Sequence, residues 1–374
     1  MKIAYLSSVR IPSEKASGLA IVRQCQAFAS NGHQVELFIP KRAENESETI
    51  NEVYGFTPNF DVKYFPAKAI YNFGKLGFFL MLIRDSVKLL KYYFKNKNKP
   101  DVIYSRDHRL LFLFILFGLQ EKCFVEMHTK HDDFITKFVL KRAEKVIVIS
   151  EGLADFYSKL TNRTNLQVEP SGVYLKQFEN LPETNVSRET LALPKNKKIF
   201  AYIGKYKTMG ETKGVDEIII AFAKLVKNNH DVLLYLVGIE DDERVEVNQL
   251  CKANGLVAGE NIIISKLDQA KFAEYLNASD ILLMNYPDTE HYAKYMSPTK
   301  LFAYMAVGKP FISTRLDSIT SFTEARVVYI NPGDDYSEAL QNALSNYETL
   351  AQSAKLNKNT VKQYCWKERA KKIL

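Results

Sequence analysis

The chain has no CxxC pair: its four cysteines, Cys25, Cys123, Cys251 and Cys365, stand far apart. That spacing suits neither a zinc site nor a disulfide framework in 374 residues, and a reducing cytoplasm is the expected compartment. It also lacks a long apolar run. The longest, Leu110 to Leu119, is ten residues, against the roughly 20 that a membrane-crossing helix needs. No GxGxxG, P-loop or serine-hydrolase signature occurs, so a nicotinamide dinucleotide fingerprint and two common catalytic classes drop out. Met1 to Val9 begins as a strand-like alternation without the charged region, apolar core and cleavage site of a secretion signal. What is present is 46% hydrophobic and 25% charged composition, enough for packed cores in two soluble globular domains.

Charge is unevenly placed. The net charge is +8, and the first 180 residues hold 26 basic against 19 acidic side chains, so nearly all the excess is N-terminal. Residues 84–99 carry Arg84, Lys88, Lys91, Lys95, Lys97 and Lys99 against Asp85 alone, and follow the apolar stretch Leu76 to Ile83. This predicts a helix with an apolar end and a basic end, open to three uses: a solvated face, docking to an anionic membrane surface, or nucleic-acid binding. No helix-turn-helix, zinc-finger or RRM signature accompanies the charge, and nucleic acid is not an expected partner.

Both halves alternate short apolar strands with amphipathic segments of 10–15 residues, the pattern of parallel sheets covered by helices. In the first half, strands are expected at Lys2–Ser7, Val35–Ile39, Asp101–Ser105, Cys123–His128 and Lys145–Ser150, with a helix at Leu19–Asn31 closed by Gly32. After a polar link, Glu179 to Asn196, strands are expected at Lys198–Gly204, Val232–Gly238, Asn261–Lys266, Asp280–Asn285, Pro310–Thr314 and Val327–Ile330, with helices such as Val215–Asn229 and Pro298–Val307. The expected domains are 1–180 and 190–355, with a final helix that carries the single tryptophan, Trp366. Two doubly wound domains place strand ends and helix N-termini at a shared cleft where a ligand can bind.

Tyr295 to Pro310 is the most informative stretch. Ser297 fits an N-cap, Pro298 the first helical position and Gly308 the residue after the last turn, so the free N–H groups of Thr299 and Lys300 would meet an anion such as phosphate. Gly204-Lys205 ends a strand and Lys213-Gly214 opens the next helix, so both lysines can converge at the mouth of the sheet and hold a diphosphate without a metal. Ser7 to Gly18 is expected as a loop whose glycine lets backbone approach a ligand. Glu126 and His128 share one strand face, and Arg106-Asp107 ends the preceding strand. Read alone, these features equally fit a capped helix, a solvated loop and a structural histidine. The acid clusters Asp132-Asp133 and Glu240 to Glu243 read as solvated loops rather than metal ligands.

The ordered set of the opening strand and the loop Pro12-Ser13-Glu14-Lys15-Ala16-Ser17-Gly18, Glu126-x-His128, Ile149-Ser150, Pro170-Ser171-Gly172-Val173, Gly204-Lys205 with Lys213-Gly214-Val215, and Ser297-Pro298-x-Lys300-Leu301-Phe302-x-Tyr304-Met305-Ala306-x-Gly308-Lys309-Pro310 resembles the glycosyltransferases of family four over nearly the whole chain, within a Ser-Pro-x-Lys subgroup. The resemblance implies an α/β protein of the GT-B fold, two Rossmann-like doubly wound domains facing a central cleft, with a C-terminal helix at about 361–374 crossing back onto the first domain. It implies a retaining enzyme that moves a sugar from a UDP- or GDP-sugar to a glycan or lipid-linked acceptor, with no metal or other cofactor. Lys205 and Lys213 match the basic pair on the donor diphosphate, with lysine in place of the more usual arginine at the first. Gly18 matches the glycine loop beside the phosphates, His128 the histidine near the transferred sugar, and Thr299 and Lys300 the phosphate-facing helix start. The nucleotide base is expected near Gly238 and Lys266.

The sequence departs from the family at its two signature glutamates, where it has Tyr295 and Ala303. The second glutamate accepts hydrogen bonds from the donor ribose. A hydrogen bond to a charged group contributes about 1.5–3 kcal/mol, so donor affinity is expected to fall roughly ten- to a hundred-fold. Ala303 is open to two explanations, a natural variant or an inactivating substitution. The expected role is surface-polysaccharide or glycolipid synthesis in a bacterium, peripherally at the inner face of the membrane. A nucleotide-sugar epimerase on the same fold and a non-catalytic partner subunit are the alternatives.

Overall fold

A computed structural model describes the chain except for residues 14–15, 42–48, 68–73, 209–210 and 323–325. The side chains of 74–76, 78–79, 208 and 211 also lie outside the described set, which takes in part of the Ser7–Gly18 loop and of the apolar stretch before residue 84. The chain forms two compact units. One comprises Met1–Gly172, Lys294–Ser297 and Trp366–Leu374; the other comprises Val173–Ala293 and Pro298–Cys365.

The first unit runs β1 (Lys2–Leu6), α1 (Ala16–Ser30), β2 (Gln34–Lys41), α2 (Ile50–Tyr54), β3 (Asp61–Pro66), α3 (Gly74–Lys95), β4 (Val102–Ser105), α4 (His108–Leu116), β5 (Cys123–Met127), α5 (Phe134–Arg142), β6 (Lys145–Val148), α6 (Glu151–Thr161) and β7 (Leu166–Val168). Its seven strands are parallel in the order β3-β2-β1-β4-β5-β6-β7, so the winding reverses between β1 and β4. Six successive residues of β2 are buried, as expected of a strand covered on both faces. Ala4 and Leu6 join Leu89 of α3 and Phe114 of α4 in one core, while Tyr104 meets Phe28 of α1 on the other face.

The second unit runs α7 (Thr184–Thr190), β8 (Lys198–Ile203), the short pair β9 (Lys207–Thr208) and β10 (Glu211–Thr212), α8 (Val215–Asn228), β11 (Val232–Val237), α9 (Asp241–Ala253), β12 (Ile262–Ser265), α10 (Phe272–Ala278), β13 (Ile281–Met284), α11 (Thr299–Val307), β14 (Phe311–Thr314), α12 (Asp317–Thr320), β15 (Val328–Ile330), α13 (Tyr336–Ser345), α14 (Tyr347–Ala354) and α15 (Asn357–Thr360). Its parallel sheet has the order β12-β11-β8-β13-β14-β15, with the reversal between β8 and β13. Residues 179–196, expected as a link, contain α7. Arg188 there is buried and donates to Asp280 at 2.5 Å and to the Ala278 carbonyl at 2.9 Å. A buried guanidinium must be paired, and this pairing fixes the segment to its own unit.

The final helix, α16 (Trp366–Ile373), belongs to the first unit. Trp366, Arg369, Ala370 and Ile373 are buried at helical spacing. Gly172 makes room for it: a Cβ there would lie 2.7 Å from the Trp366 nitrogen.

Candidate functional site

The site of the second unit forms where its sheet reverses, at the ends of β8 and β13, the position at which open α/β sheets bind ligands. β8 exits into Gly204 at φ +149°, and a Cβ at that position would stand 2.6 Å from both Cε and Nζ of Lys300. β11 exits into Gly238 at φ +99°, where a Cβ would stand 2.7 Å from the Gly204 carbonyl oxygen. These two glycines let two strand ends and a lysine crowd together. At the start of α8, Gly214 has φ +70° and a Cβ would lie 2.1 Å from the Asn285 carbonyl oxygen. Asn285 Nδ2 donates to the Gly214 carbonyl at 3.0 Å, and Thr314 Oγ1 donates to Asn285 Oδ1 at 2.8 Å. The ends of β13 and β14 thereby clamp the backbone that carries Lys213.

Three lysines interact here. Lys300 Nζ is buried and has no hydrogen-bond acceptor; it lies over the Tyr202 ring, 3.7 Å from its centroid, with the Tyr286 ring at 5.8 Å. Burial, and then the charge of Lys213, hold its ammonium well below the usual lysine range. Burial, and then Lys205, lower Lys213 as well, with Glu243 opposing. Lys205 itself is exposed. α11 begins at Thr299 with Pro298 at the N-cap and no side-chain cap, so the positive end of its dipole adds to the lysines. A positive cluster with a desolvated, acceptor-free member is chemically suited to a polyanion such as a diphosphate.

Not every expected site residue joins this cluster. Ser297 does not cap α11: it belongs to the first unit, where its Oγ accepts the Ser171 N–H at 2.8 Å. Thr299 is exposed. Ala303 is 3% exposed within α11, one turn beyond Lys300. Lys266 pairs with Asp241 at 2.5 Å on the exposed surface, which gives its charge a partner within the protein. The Glu240 to Glu243 run starts α9 through a capping box, and Asp133 caps α5 and pairs with Arg109 at 2.8 Å. Among the described residues, no three His, Cys, Asp or Glu side chains gather as a metal site.

In the first unit, Gly18 lies inside α1 rather than in the loop before it. A Cβ there would stand 2.6 Å from the Tyr54 hydroxyl, which accepts the Ser13 N–H at 2.9 Å and donates to the Ser13 carbonyl at 2.8 Å. The space beside this glycine is filled by protein. His128 uses both ring nitrogens: Nε2 donates to Glu126 Oε1 at 2.5 Å and Nδ1 accepts from Arg106 Nη2 at 2.7 Å. Burial first, and then Arg106, lower its pKa to about 4, so it is neutral near pH 7. Glu126 also accepts from Tyr104 and from Arg369 Nη2, the latter at 3.0 Å. The shared face of Glu126 and His128 was readable from strand period; Arg369, Tyr202, Asn285 and Tyr286 had no local signal that marked them.

Residues 18–177 match the family described as Glycosyltransferase Family 4, and residues 197–347 match Glycosyl transferases group 1. No curated protein matches the chain in sequence. Among solved structures, sucrose-phosphate synthase from Thermosynechococcus elongatus is similar at 18% identity and TM-score 0.76, over 99% of this chain and 96% of that one. A glycosyltransferase from Rickettsia africae is similar at 15% identity and TM-score 0.77, again over 99% and 96%. Anabaena HepE, solved in complex with UDP and glucose, is similar at 15% identity and TM-score 0.71, over 100% and 98%. The likeness is one of fold: two Rossmann-like domains of the GT-B class.

Proposed function

Since the chain is a glycosyltransferase of GT-B type, with a family 4 domain followed by a group 1 domain, we propose that it is a retaining enzyme that takes a UDP- or GDP-sugar on its second domain. The observation that carries this reading is the buried Lys300 ammonium, without an acceptor and within electrostatic reach of Lys213. Lys205, Lys213, Lys300 and the uncapped start of α11 hold the diphosphate and stabilise the negative charge that grows as the sugar–phosphate bond breaks. Three ammonium groups supply the charge that a divalent cation would otherwise bring. The acceptor hydroxyl, from a glycan or a lipid-linked glycan of the bacterial surface, attacks from the side the diphosphate leaves, which retains configuration. His128, neutral and bonded at both nitrogens, contributes position rather than charge.

Ala303 leaves the ribose without the family's carboxylate and favours a second reading, a glycosyltransferase-like subunit without turnover. Titration calorimetry with UDP and GDP, beside a transfer screen with lipid-linked and oligosaccharide acceptors, tests both for the wild type and Ala303→Glu. Donor affinity should rise roughly ten-fold or more in the variant. No nucleotide binding by either protein would end the proposal; transfer by the variant alone would support the second reading; conversion of the donor without acceptor would assign an epimerase.

A further inference from the structure

We propose that Arg106, at the point where the first domain's sheet reverses, binds a carboxylate or phosphate group on the acceptor sugar. The winding of that sheet turns between β1 and β4, the place where open α/β sheets take ligands. Ser105, the last residue of β4, is fully buried and ties this exit to the neighbouring strand: its hydroxyl donates to the Leu6 carbonyl at 2.9 Å and accepts the Asp107 N–H at 3.0 Å. Arg106 thus leaves the sheet from a fixed stretch of backbone.

The charges around it do not cancel. Glu126 lies 3.9 Å from Arg106 Nε, beyond hydrogen-bond reach, and its oxygens are already claimed by the Tyr104 hydroxyl, by His128 Nε2 at 2.5 Å and by Arg369 Nη2 at 3.0 Å. Burial opposes ionisation of Glu126, but Arg369 and then His128 outweigh it and hold the carboxyl well below the usual carboxylate range. With His128 neutral, one carboxylate faces two guanidiniums. Asp107, next in the chain, is engaged elsewhere: Oδ2 accepts from Ser8 Oγ at 2.6 Å and Oδ1 from the Arg109 N–H at 3.1 Å. Among the described residues, Arg106 has no ion pair other than the 3.9 Å approach to Glu126. Its side chain is 17% exposed; it donates to His128 Nδ1 at 2.7 Å, with the Ser17 carbonyl at 3.5 Å, so most of its five N–H groups stay open. A guanidinium largely out of water and without a matching negative charge complements an oxyanion, which its fork can hold through two parallel bonds. His128 has no such capacity, since both ring nitrogens are bonded within the protein, and the ring braces the arginine. A neutral sugar would leave the charge uncompensated, whereas a uronic acid or a sugar phosphate supplies its partner. The inference rests on the reading of the chain as a sugar transferase whose donor diphosphate sits on the second domain.

The test is saturation-transfer NMR on the full chain, titrated with methyl glucuronide, glucose 6-phosphate and methyl glucoside. At least one acidic sugar should bind about tenfold or more tightly than methyl glucoside, and the better of the two identifies the anion. Arg106→Gln should erase that preference with thermal unfolding unchanged. Arg106→Lys, which keeps a charge without the fork, should cut the acidic sugar's affinity about fivefold and serves if the glutamine variant unfolds. Equal binding of acidic and neutral sugars, a preference that survives in both variants, or displacement of the acidic sugar by UDP would overturn the proposal. Titration of the same samples with UDP reads the donor site separately: absence of UDP binding would end that reading, while the role of Arg106 is decided by the sugar probes alone.

Discussion

Gly204 and Lys300 share one volume: a Cβ on the glycine would stand 2.6 Å from the lysine's Nζ. The end of β8 can therefore be nothing larger while Lys300 keeps its place. Gly204→Ala should displace the lysine tip and, at φ +149°, strain the backbone by about 1–3 kcal/mol. The expected result is a lowered thermal midpoint together with at least tenfold weaker UDP binding; unchanged binding would show that Lys300 does not need this seat.

Lys300→Met should separate binding from stability. A buried cation without an acceptor costs folding energy, so the variant should unfold at a higher temperature while losing UDP affinity by tenfold or more. The pH dependence fixes the cause. Because burial lowers the folded pKa of Lys300, the unfolded chain holds the proton more tightly, and wild-type stability rises with pH toward the ordinary lysine value of about 10.4. The advantage of Lys300→Met should shrink over that rise, measured by melts between pH 7 and 10.

Asn285 acts on the site through Gly214. Asn285→Leu removes the bond to the Gly214 carbonyl and leaves Thr314 Oγ1 without its acceptor, so Lys213 should lose its fixed approach. UDP affinity should fall about three- to tenfold, and the titration of the variant should be closer to that of Lys213→Met than either is to wild type.

His128 predicts acid sensitivity. Its folded pKa of about 4 lies below the unfolded value of about 6.5. The stability tied to the neutral ring is therefore complete above pH 6.5 and lost as pH falls toward 4, and His108, lowered to about 3 mainly by burial, acts in the same direction. His128→Gln should flatten part of the fall in melting temperature between pH 6.5 and 4.5. An identical fall in both proteins would contradict the assigned bonds.

The sequence made most of the second domain's strands legible because β8, β11 and β13 carry continuous apolar runs buried on both faces. β3 and β7 were not foreseen: one is largely exposed and the other has three half-buried residues, so neither has the apolar contrast that marks a strand. Gly308 was readable as the end of α11, and it is left-handed at φ 71°. Ser297 was misread as its cap because the residue type fits, while the Ser171 N–H that claims its hydroxyl lies 126 positions away. The places of Lys205 just after a strand and Lys213 just before a helix were readable from the sequence. That Lys300 is buried without an acceptor depends on how Tyr202 and Gly204 pack around it, which no local pattern encodes.

The bond from Arg369 to Gln24 spans 345 positions, and the same guanidinium lies 3.0 Å from the carboxylate of Glu126. On the ribosome, the sheet that contains Glu126 emerges long before the arginine that completes its charge balance. The first domain thus waits, one counter-ion short, until the second has been synthesised, and nascent chains arrested anywhere in between should share the same protease-sensitive N-terminal half.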